Sequence, residues 1–96
     1  MGFFKNIVWD IQHKPYVTKE GYLQKYRPDS PYARTGGYRD GYAPVHRINA
    51  GKKEGRVLSS NEHVHHEDGN KLNNRAKNLT AMSPQEHASR HRKGDK

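Results

Sequence analysis

The residues of this chain best suited to chemistry are histidines, and three of its seven histidines lie within residues 63–66. The stretch EHVHHEDGN places His65 beside His66, with His63 two positions earlier. Imidazole suits general-base catalysis because its pKa lies near physiological pH, and the neutral ring is also a common metal ligand. Adjacent side chains on a regular strand point to opposite faces, so both rings serve one site only if the strand ends or twists there. The turn signal Asp68-Gly that follows permits such an end.

A second pair of histidines stands near the end of the chain. The sequence SPQE, residues 83–86, predicts a helix start with Ser83 as N-cap, proline at the first helical position and Glu86 bonded back to the cap. His87 and His91 then lie four positions apart on a helix expected to reach about residue 92, and they share one face. Two imidazoles so placed can chelate one cation. Spacing alone leaves a metal site and scattered surface histidines equally open.

The elements needed to position these rings follow in the order strand, loop, strand, helix. A strand-like segment around Val64 ends at the turn formed by residues 68–70, and Asn73-Asn74 caps a single turn. A second short strand covers residues 79–82, before the helix. A hairpin packed on a helix brings the end of its first strand close to the helix face. One histidine of the strand can then complete a three-imidazole metal site while its neighbour acts as a base.

The first half of the chain predicts a different set of elements. Apolar residues recur at helical spacing over residues 3–11, which favours a core-covering helix or strand. Residues 20–50 hold five of the six tyrosines, and their turn signals predict strands near 21–26 and 38–42. Pro44 is expected to open a short helix that ends near residue 51. Interleaved Tyr and Arg residues suit nucleic-acid contact. They equally suit a half-buried sheet whose tyrosine hydroxyls stay in contact with water.

Composition limits the fold and the partners. Ninety-six residues predict one domain, and 30% hydrophobic residues with a mean hydropathy of −1.29 predict a small core. There are no cysteines, which excludes disulfides and fits a reducing cytoplasm. A bound metal or a partner chain remains open as an additional source of stability for so small a fold. A net charge of +8 favours polyanions such as nucleic acid. No apolar run approaches the roughly 18 residues of a membrane span, so no membrane contact is expected.

The stretch VHHEDGNKLNNRAKNLTAMSPQEHASRH closely resembles the HNH nuclease motif, also called the ββα-metal or His-Me finger. The form is that of bacteriophage HNH and homing endonucleases, and the resemblance covers roughly residues 20–92. It implies an α+β fold: a small single domain whose ββα-metal core, about residues 62–92, is a short β-hairpin packed on a C-terminal helix, preceded by a Tyr-rich β segment. Residues 16–96 would form the nuclease domain, and residues 1–15 an apolar N-terminal extension.

The resemblance also implies a role for each motif position. His66 would be the general base that activates water, and His65 a metal ligand. Asn78 would orient the base histidine through hydrogen bonding and brace the loop. His87 would be a metal ligand, and His91 matches the extra helical ligand of colicin-type members.

One divalent metal ion is the implied cofactor, and DNA the implied partner. Three imidazoles favour zinc or nickel, whereas relatives often use magnesium or manganese, so all four stay open. Arg47, Arg56 and Arg75 are candidate phosphate contacts, because guanidinium matches phosphate oxygens. The expected protein is an HNH endonuclease, a phosphodiester hydrolase that nicks DNA with limited sequence specificity in the cytoplasm of a bacterial host cell. A homodimer or a phage or host partner protein is left open.

Two other functions remain as alternatives. A noncatalytic, metal-stabilised nucleic-acid-binding module would keep His65, His87 and His91 as structural ligands and would not depend on His66. A basic adaptor in a phage or host assembly would rest on charge and the apolar N-terminus alone. An open metal coordination position favours the nuclease, and a closed four-ligand shell favours the binding module.

Overall fold

A computed structural model describes the chain over residues 2–86, and its side chains over residues 5–86. The elements in chain order are α1 (Gly2–Gln12), β1 (Tyr16–Val17), β2 (Leu23–Tyr26), β3 (Tyr42–Pro44), α2 (Val45–Glu54), β4 (His63–His66), a 3₁₀ turn (Ala76–Asn78) and β5 (Leu79–Met82). The small α+β class expected from the sequence is confirmed. The chain divides into two compact units, Met1–Ile48 and Asn49–Lys96. The boundary at residue 15 stays a prediction.

The first unit contains a three-stranded antiparallel sheet in the order β1-β2-β3. Tyr16 pairs with Gln24 across β1 and β2, and Tyr26 pairs with Tyr42 across β2 and β3. The strand expected near residues 21–26 is confirmed. The strand expected over 38–42 is wrong except for its last residue, because residues 38–41 form a turn that ends at Gly41 with φ 86°.

Helix α1 confirms the helical alternative for residues 3–11, and three of its aliphatic side chains are exposed. Ile11 is 77% exposed, and Ile7 and Val8 are also exposed. The ring of Trp9 meets the Tyr26 ring edge-on, with centroids 6.1 Å apart. The apolar spacing therefore predicted the helix, whereas Ile11 is not part of a buried face.

The short helix expected to open at Pro44 is confirmed: α2 begins at Val45, and it ends at Glu54 rather than near residue 51. Pro44 is the last residue of β3, and Gly51 is buried inside the helix. Gly55, with φ 72°, follows the last helical residue, and the Arg56 amide donates to the Gly51 carbonyl at 3.1 Å. Glycine in this left-handed conformation is a common helix end because it has no Cβ to clash.

The second unit contains the β4–β5 antiparallel hairpin, with His63 opposite Met82 and His66 opposite Leu79. The predicted second strand over residues 79–82 and a single turn before it are confirmed. The predicted cap of that turn is wrong, because its N-cap is Arg75 and not the Asn73-Asn74 pair. The core of the second unit, as far as the described residues show it, is small and is formed by α2, the loop after α2 and β5. The buried apolar side chains are Ala50, Leu58, Leu79 and Met82. No helix within residues 2–86 is long and apolar enough to cross a membrane.

The predicted helix start after β5 is confirmed. The Glu86 carboxylate accepts the Ser83 amide at 2.9 Å, and the Ser83 hydroxyl oxygen accepts the Glu86 amide at 3.2 Å. This reciprocal pair is a capping box, and residues 84–86 are helical. His87 and His91 lie outside the described residues. Packing of the hairpin on a C-terminal helix therefore stays a prediction.

Candidate active site

The histidine cluster lies on β4, and its members differ sharply in exposure. His63 is exposed, the His65 side chain is 22% exposed, and His66 is buried at 6%. Strand β4 ends at His66, whose carbonyl accepts the Gly69 amide at 2.9 Å in the turn that follows. This end of β4 at His66 is the condition under which the adjacent rings of His65 and His66 can serve one site.

The His66 ring is held by Asn74, a loop residue that the sequence did not indicate as part of the site. Its Nε2 lies 2.8 Å from the Asn74 side-chain Oδ1. The Asn74 carbonyl accepts a hydrogen bond of 2.7 Å from the Asn49 side chain, which lies on α2. A chain of hydrogen bonds therefore runs from α2 through the loop to the buried imidazole.

Asn78 braces the loop that carries these residues. It is buried, and its Oδ1 accepts the Asp68 amide at 3.1 Å. Its Nδ2 donates to the Asp68 carboxylate at 3.0 Å and to the Asn73 carbonyl at 2.8 Å. One amide thus ties the turn after β4 to the segment before the 3₁₀ turn. This geometry agrees with the bracing role that the resemblance implies for Asn78.

Asp68 is committed to the same loop. One carboxylate oxygen accepts the Asn70 amide at 2.8 Å, and the other accepts the Asn73 side chain at 2.8 Å. The hydrogen bond from Asn73 is the largest of the effects that lower the pKa of Asp68, followed by those from Asn70 and Asn78. Gly69 follows with φ 76°. These bonds commit the Asp68 carboxylate to the turn that the sequence predicted.

His65 is the one proposed metal ligand with a described side chain. Its Nε2 lies 3.9 Å from the Glu67 carboxylate, and the Thr80 hydroxyl donates to that same carboxylate. An accessible imidazole beside a carboxylate is a donor set that suits a divalent cation. No group of three His, Cys, Asp or Glu side chains within residues 5–86 would hold a metal ion. The other two predicted ligands, His87 and His91, lie outside the described residues.

The three candidate phosphate contacts differ in what surrounds them. The Arg56 guanidinium forms two hydrogen bonds with Glu62, at 2.8 and 2.7 Å. This pair is the main reason that the pKa of Glu62 falls from 4.5 to about 2. The Arg47 guanidinium lies 5.5 Å from the centroid of the Tyr32 ring, and Arg75 is exposed directly before the 3₁₀ turn.

A family model described as HNH endonuclease matches residues 43–89. This segment belongs to the HNH endonuclease family. The resemblance inferred from the sequence is thus confirmed, and nuclease activity on nucleic acid is the general function of the family. The matched HNH segment includes α2, the β4–β5 hairpin and the loop between its strands. His91 lies outside it. No curated protein and no solved structure shows significant similarity to the chain.

Proposed function

We propose that this protein is a metal-dependent DNA endonuclease that hydrolyses phosphodiester bonds with water activated by His66. The observation that supports this most strongly is the placement of His66: it lies at the end of β4, inside the HNH segment, with its ring held by Asn74 at 2.8 Å. A base must be held in one orientation to accept a proton from a water aimed at phosphorus.

In the proposed reaction, a water oxygen attacks phosphorus while one of its protons passes to His66. The bond between phosphorus and the 3′-oxygen breaks, and that oxygen takes a proton to become a hydroxyl. The products are a 5′-phosphate and a 3′-hydroxyl end. Asn78 keeps the loop closed, so that His66 stays in position. A divalent ion, when bound, would stabilise negative charge on the phosphate and the leaving oxygen. His65, His87 and His91 would hold that ion.

The metal is magnesium, manganese, zinc or nickel. Three imidazoles favour the two softer ions, whereas the Glu67 carboxylate beside His65 would suit the two harder ones. Comparing the activity with each of the four ions therefore also indicates whether imidazole or carboxylate ligands dominate the metal site.

DNA contact is proposed through the basic surface of the chain, which carries a net charge of +8. Arg47 and Arg75 would pair with phosphates, and Arg56 would do so by exchanging its contact with Glu62. One such site cuts one strand, so a monomer would nick with limited sequence specificity. Double-strand cleavage would need a dimer or two sequential nicks. The proposed partner, besides DNA, is a second copy of the chain or a phage or host protein. The proposed place of action is the cytoplasm of a bacterial host cell.

A noncatalytic nucleic-acid-binding module is the second candidate, and the burial of His66 is the observation that favours it. At 6% exposure, the ring has the accessibility of a core residue. In such a module the Asn74 contact would serve stability alone, and any bound metal would have a closed shell.

The test is incubation of supercoiled plasmid with the full chain and each of the four metal ions, with EDTA as the control. We expect nicked circles only with metal, and resealing of those nicks by DNA ligase, which requires 5′-phosphate and 3′-hydroxyl ends. The same samples are run in a mobility-shift assay. Metal-loaded protein that shifts DNA but never nicks it would overturn the nuclease and leave the binding module.

A further inference from the structure

We infer that Tyr38 and Arg39 form a binding site for single-stranded DNA, in which an unpaired base stacks on the Tyr38 ring and Arg39 binds the adjoining phosphate. Both residues lie in the first unit, before residue 43, where the HNH segment begins. The inference takes DNA as the partner from the proposed function, but the binding itself requires no cleavage.

Tyr38 differs in exposure from the other four tyrosines of residues 20–50. Tyr38 is 89% exposed, whereas the others are buried or half-buried: Tyr22, Tyr26, Tyr32 and Tyr42. The sequence left two roles open for these rings, contact with nucleic acid or packing in a half-buried sheet. Packing accounts for the other four, and it does not account for Tyr38. Every base has a π-face, so an exposed ring can stack an unpaired base of any identity.

The turn that carries Tyr38 leaves room for a nucleotide next to it. Gly36 and Gly37 come directly before Tyr38, and nothing lies within 4 Å of a Cβ added at either position. The one acidic residue of the turn is Asp40, and its carboxylate accepts the Gly36 amide. A nucleotide that approaches Tyr38 therefore meets open backbone, and the nearest carboxylate in the sequence is engaged within the turn.

The Arg39 guanidinium is held against aromatic rings, which orients it before any ligand binds. Its Cζ lies 3.8 Å from the ring centroid of Tyr16, 4.6 Å from that of Tyr38 and 5.7 Å from that of Tyr42. Stacking uses the face of a guanidinium and leaves the N–H groups at its edge for phosphate oxygens. No ion pair within residues 5–86 includes Arg39. The cation beside Tyr38 is therefore positioned without a carboxylate partner in that range.

The residues around this pair are basic. The exposed Arg34 donates its amide to the Tyr42 carbonyl at 2.9 Å, and the carbonyl of the exposed Lys14 accepts the Tyr42 hydroxyl at 2.9 Å. A cluster of cations attracts the phosphates of single and double strands alike. The exposed ring adds a contact that a duplex cannot use, because its bases are already stacked on each other. Single-stranded DNA is therefore the partner that uses both the cations and the ring.

The test is fluorescence anisotropy of a labelled phosphorothioate DNA of about 12 nucleotides, as a single strand and as a duplex, titrated with the full chain and magnesium. Phosphorothioate linkages resist hydrolysis, so binding is measured without cleavage. We expect Tyr38→Ala to weaken single-strand binding by at least about fivefold, the low end for the loss of one stacked base, and to leave duplex binding within about twofold. Tyr38→Phe keeps the ring and should bind both forms as the native chain does.

Arg39→Leu removes the phosphate contact and should lower the slope of log affinity against log salt by about 0.7, the value for one phosphate of a single strand. Ile11→Ala is the matched control, because it removes a 77% exposed apolar side chain from another element of the same unit. It should change neither affinity, and circular dichroism checks that every variant is folded.

The inference is overturned if Tyr38→Ala binds the single strand as tightly as the native chain, or if it loses the same factor on the duplex. It is also overturned if Tyr38→Phe weakens binding as much as Tyr38→Ala. A chain that never nicks plasmid but loses single-strand binding in Tyr38→Ala overturns the proposed nuclease and supports the assignment of Tyr38. A chain that nicks plasmid while Tyr38→Ala binds normally overturns the assignment and leaves the nuclease intact.

Discussion

The two units of this protein are stabilised by different interactions. In the first unit, rings and cations dominate: the Tyr26 ring stacks on His13 with centroids 3.6 Å apart, and the Arg39 guanidinium lies 3.8 Å from the centroid of Tyr16. In the second unit, amides and carboxylates dominate, with Asn78 alone making three hydrogen bonds. Ring contacts tolerate small displacements, whereas hydrogen bonds weaken steeply when their geometry is lost. The directional interactions surround His66, where orientation matters for proton transfer.

This difference predicts that single polar substitutions in the loop of the second unit will have the largest effects on stability. Asn78→Leu keeps the volume but leaves the Asp68 amide and the Asn73 carbonyl without this partner. We expect a loss of about 2–4 kcal/mol in the free energy of unfolding, measured by urea denaturation. Asn61→Ala, at an exposed site, is the control and should change that free energy by less than about 0.5 kcal/mol. A loss below about 1 kcal/mol in Asn78→Leu would show that the loop is not held as described.

In the first unit, the largest single effect should come from backbone geometry at Gly41. This residue has φ 86°, and a Cβ added there would meet the Tyr26 ring. Gly41→Ala should therefore lower the free energy of unfolding by about 2 kcal/mol, through strain and displacement of the ring.

Gly37→Ala separates the two causes. Gly37 has a similar φ of 83°, but nothing lies within 4 Å of an added Cβ. It should cost about 1 kcal/mol from strain alone. Equal losses in the two variants, compared by thermal and urea unfolding, would mean that the packing against Tyr26 contributes nothing.

A smaller effect is expected at Arg39, whose guanidinium also lies 4.6 Å from the Tyr38 ring centroid. Arg39→Leu removes the cation from these rings and should cost about 0.5–1 kcal/mol. Lys19→Leu, at an exposed site, removes the same charge without a ring contact and serves as control. Unfolding free energies that do not differ between the two variants would show that ring contacts are not what stabilises this part of the first unit.

The smallest effect is the pH dependence of the Arg56–Glu62 pair. Because the pKa of Glu62 is lowered from 4.5 to about 2 in the folded protein, its contribution is present above pH 4.5 and is lost as the pH falls toward 2. Arg56→Gln should raise the pKa of Glu62 toward its ordinary value, measured by carboxyl NMR titration. A pKa unchanged by the substitution would mean that the Ser59 amide, which donates to the same carboxylate at 2.8 Å, is sufficient alone.

Local signals in the sequence predicted the elements that hold the site. The capping pattern of Ser83 and Glu86, the turn after His66 and the strand over residues 79–82 depend on neighbouring residues, so they could be read from spacing. The contact between Asn74 and His66 could not, because it joins residues eight positions apart and depends on closure of the whole loop. The only signal for it was the pair of asparagines before the 3₁₀ turn.

The failures in the first half of the chain have physical causes of the same kind. Gly41 and the turn before it move the strand toward Tyr42, and the packing of Trp9 and His13 on Tyr26 selects the face of α1 that contacts the sheet. The spacing of apolar residues indicates neither where a turn places the next strand nor which face of a helix packs on a ring. Arg56 could be identified from the sequence as a candidate phosphate contact. Its ion pair with Glu62 depends on the fold and could not be predicted.

The most direct test of the proposed site compares single-turnover plasmid nicking by the native chain, His66→Ala and His63→Ala at saturating metal. His63 is an exposed neighbour on the same strand, so His63→Ala controls for the loss of an imidazole from β4. We predict that His66→Ala lowers the nicking rate by about 10²–10⁴-fold, whereas His63→Ala retains most of it. Equal nicking by His66→Ala and the native chain, with both folded and metal-loaded, would contradict the assignment of His66 as the base.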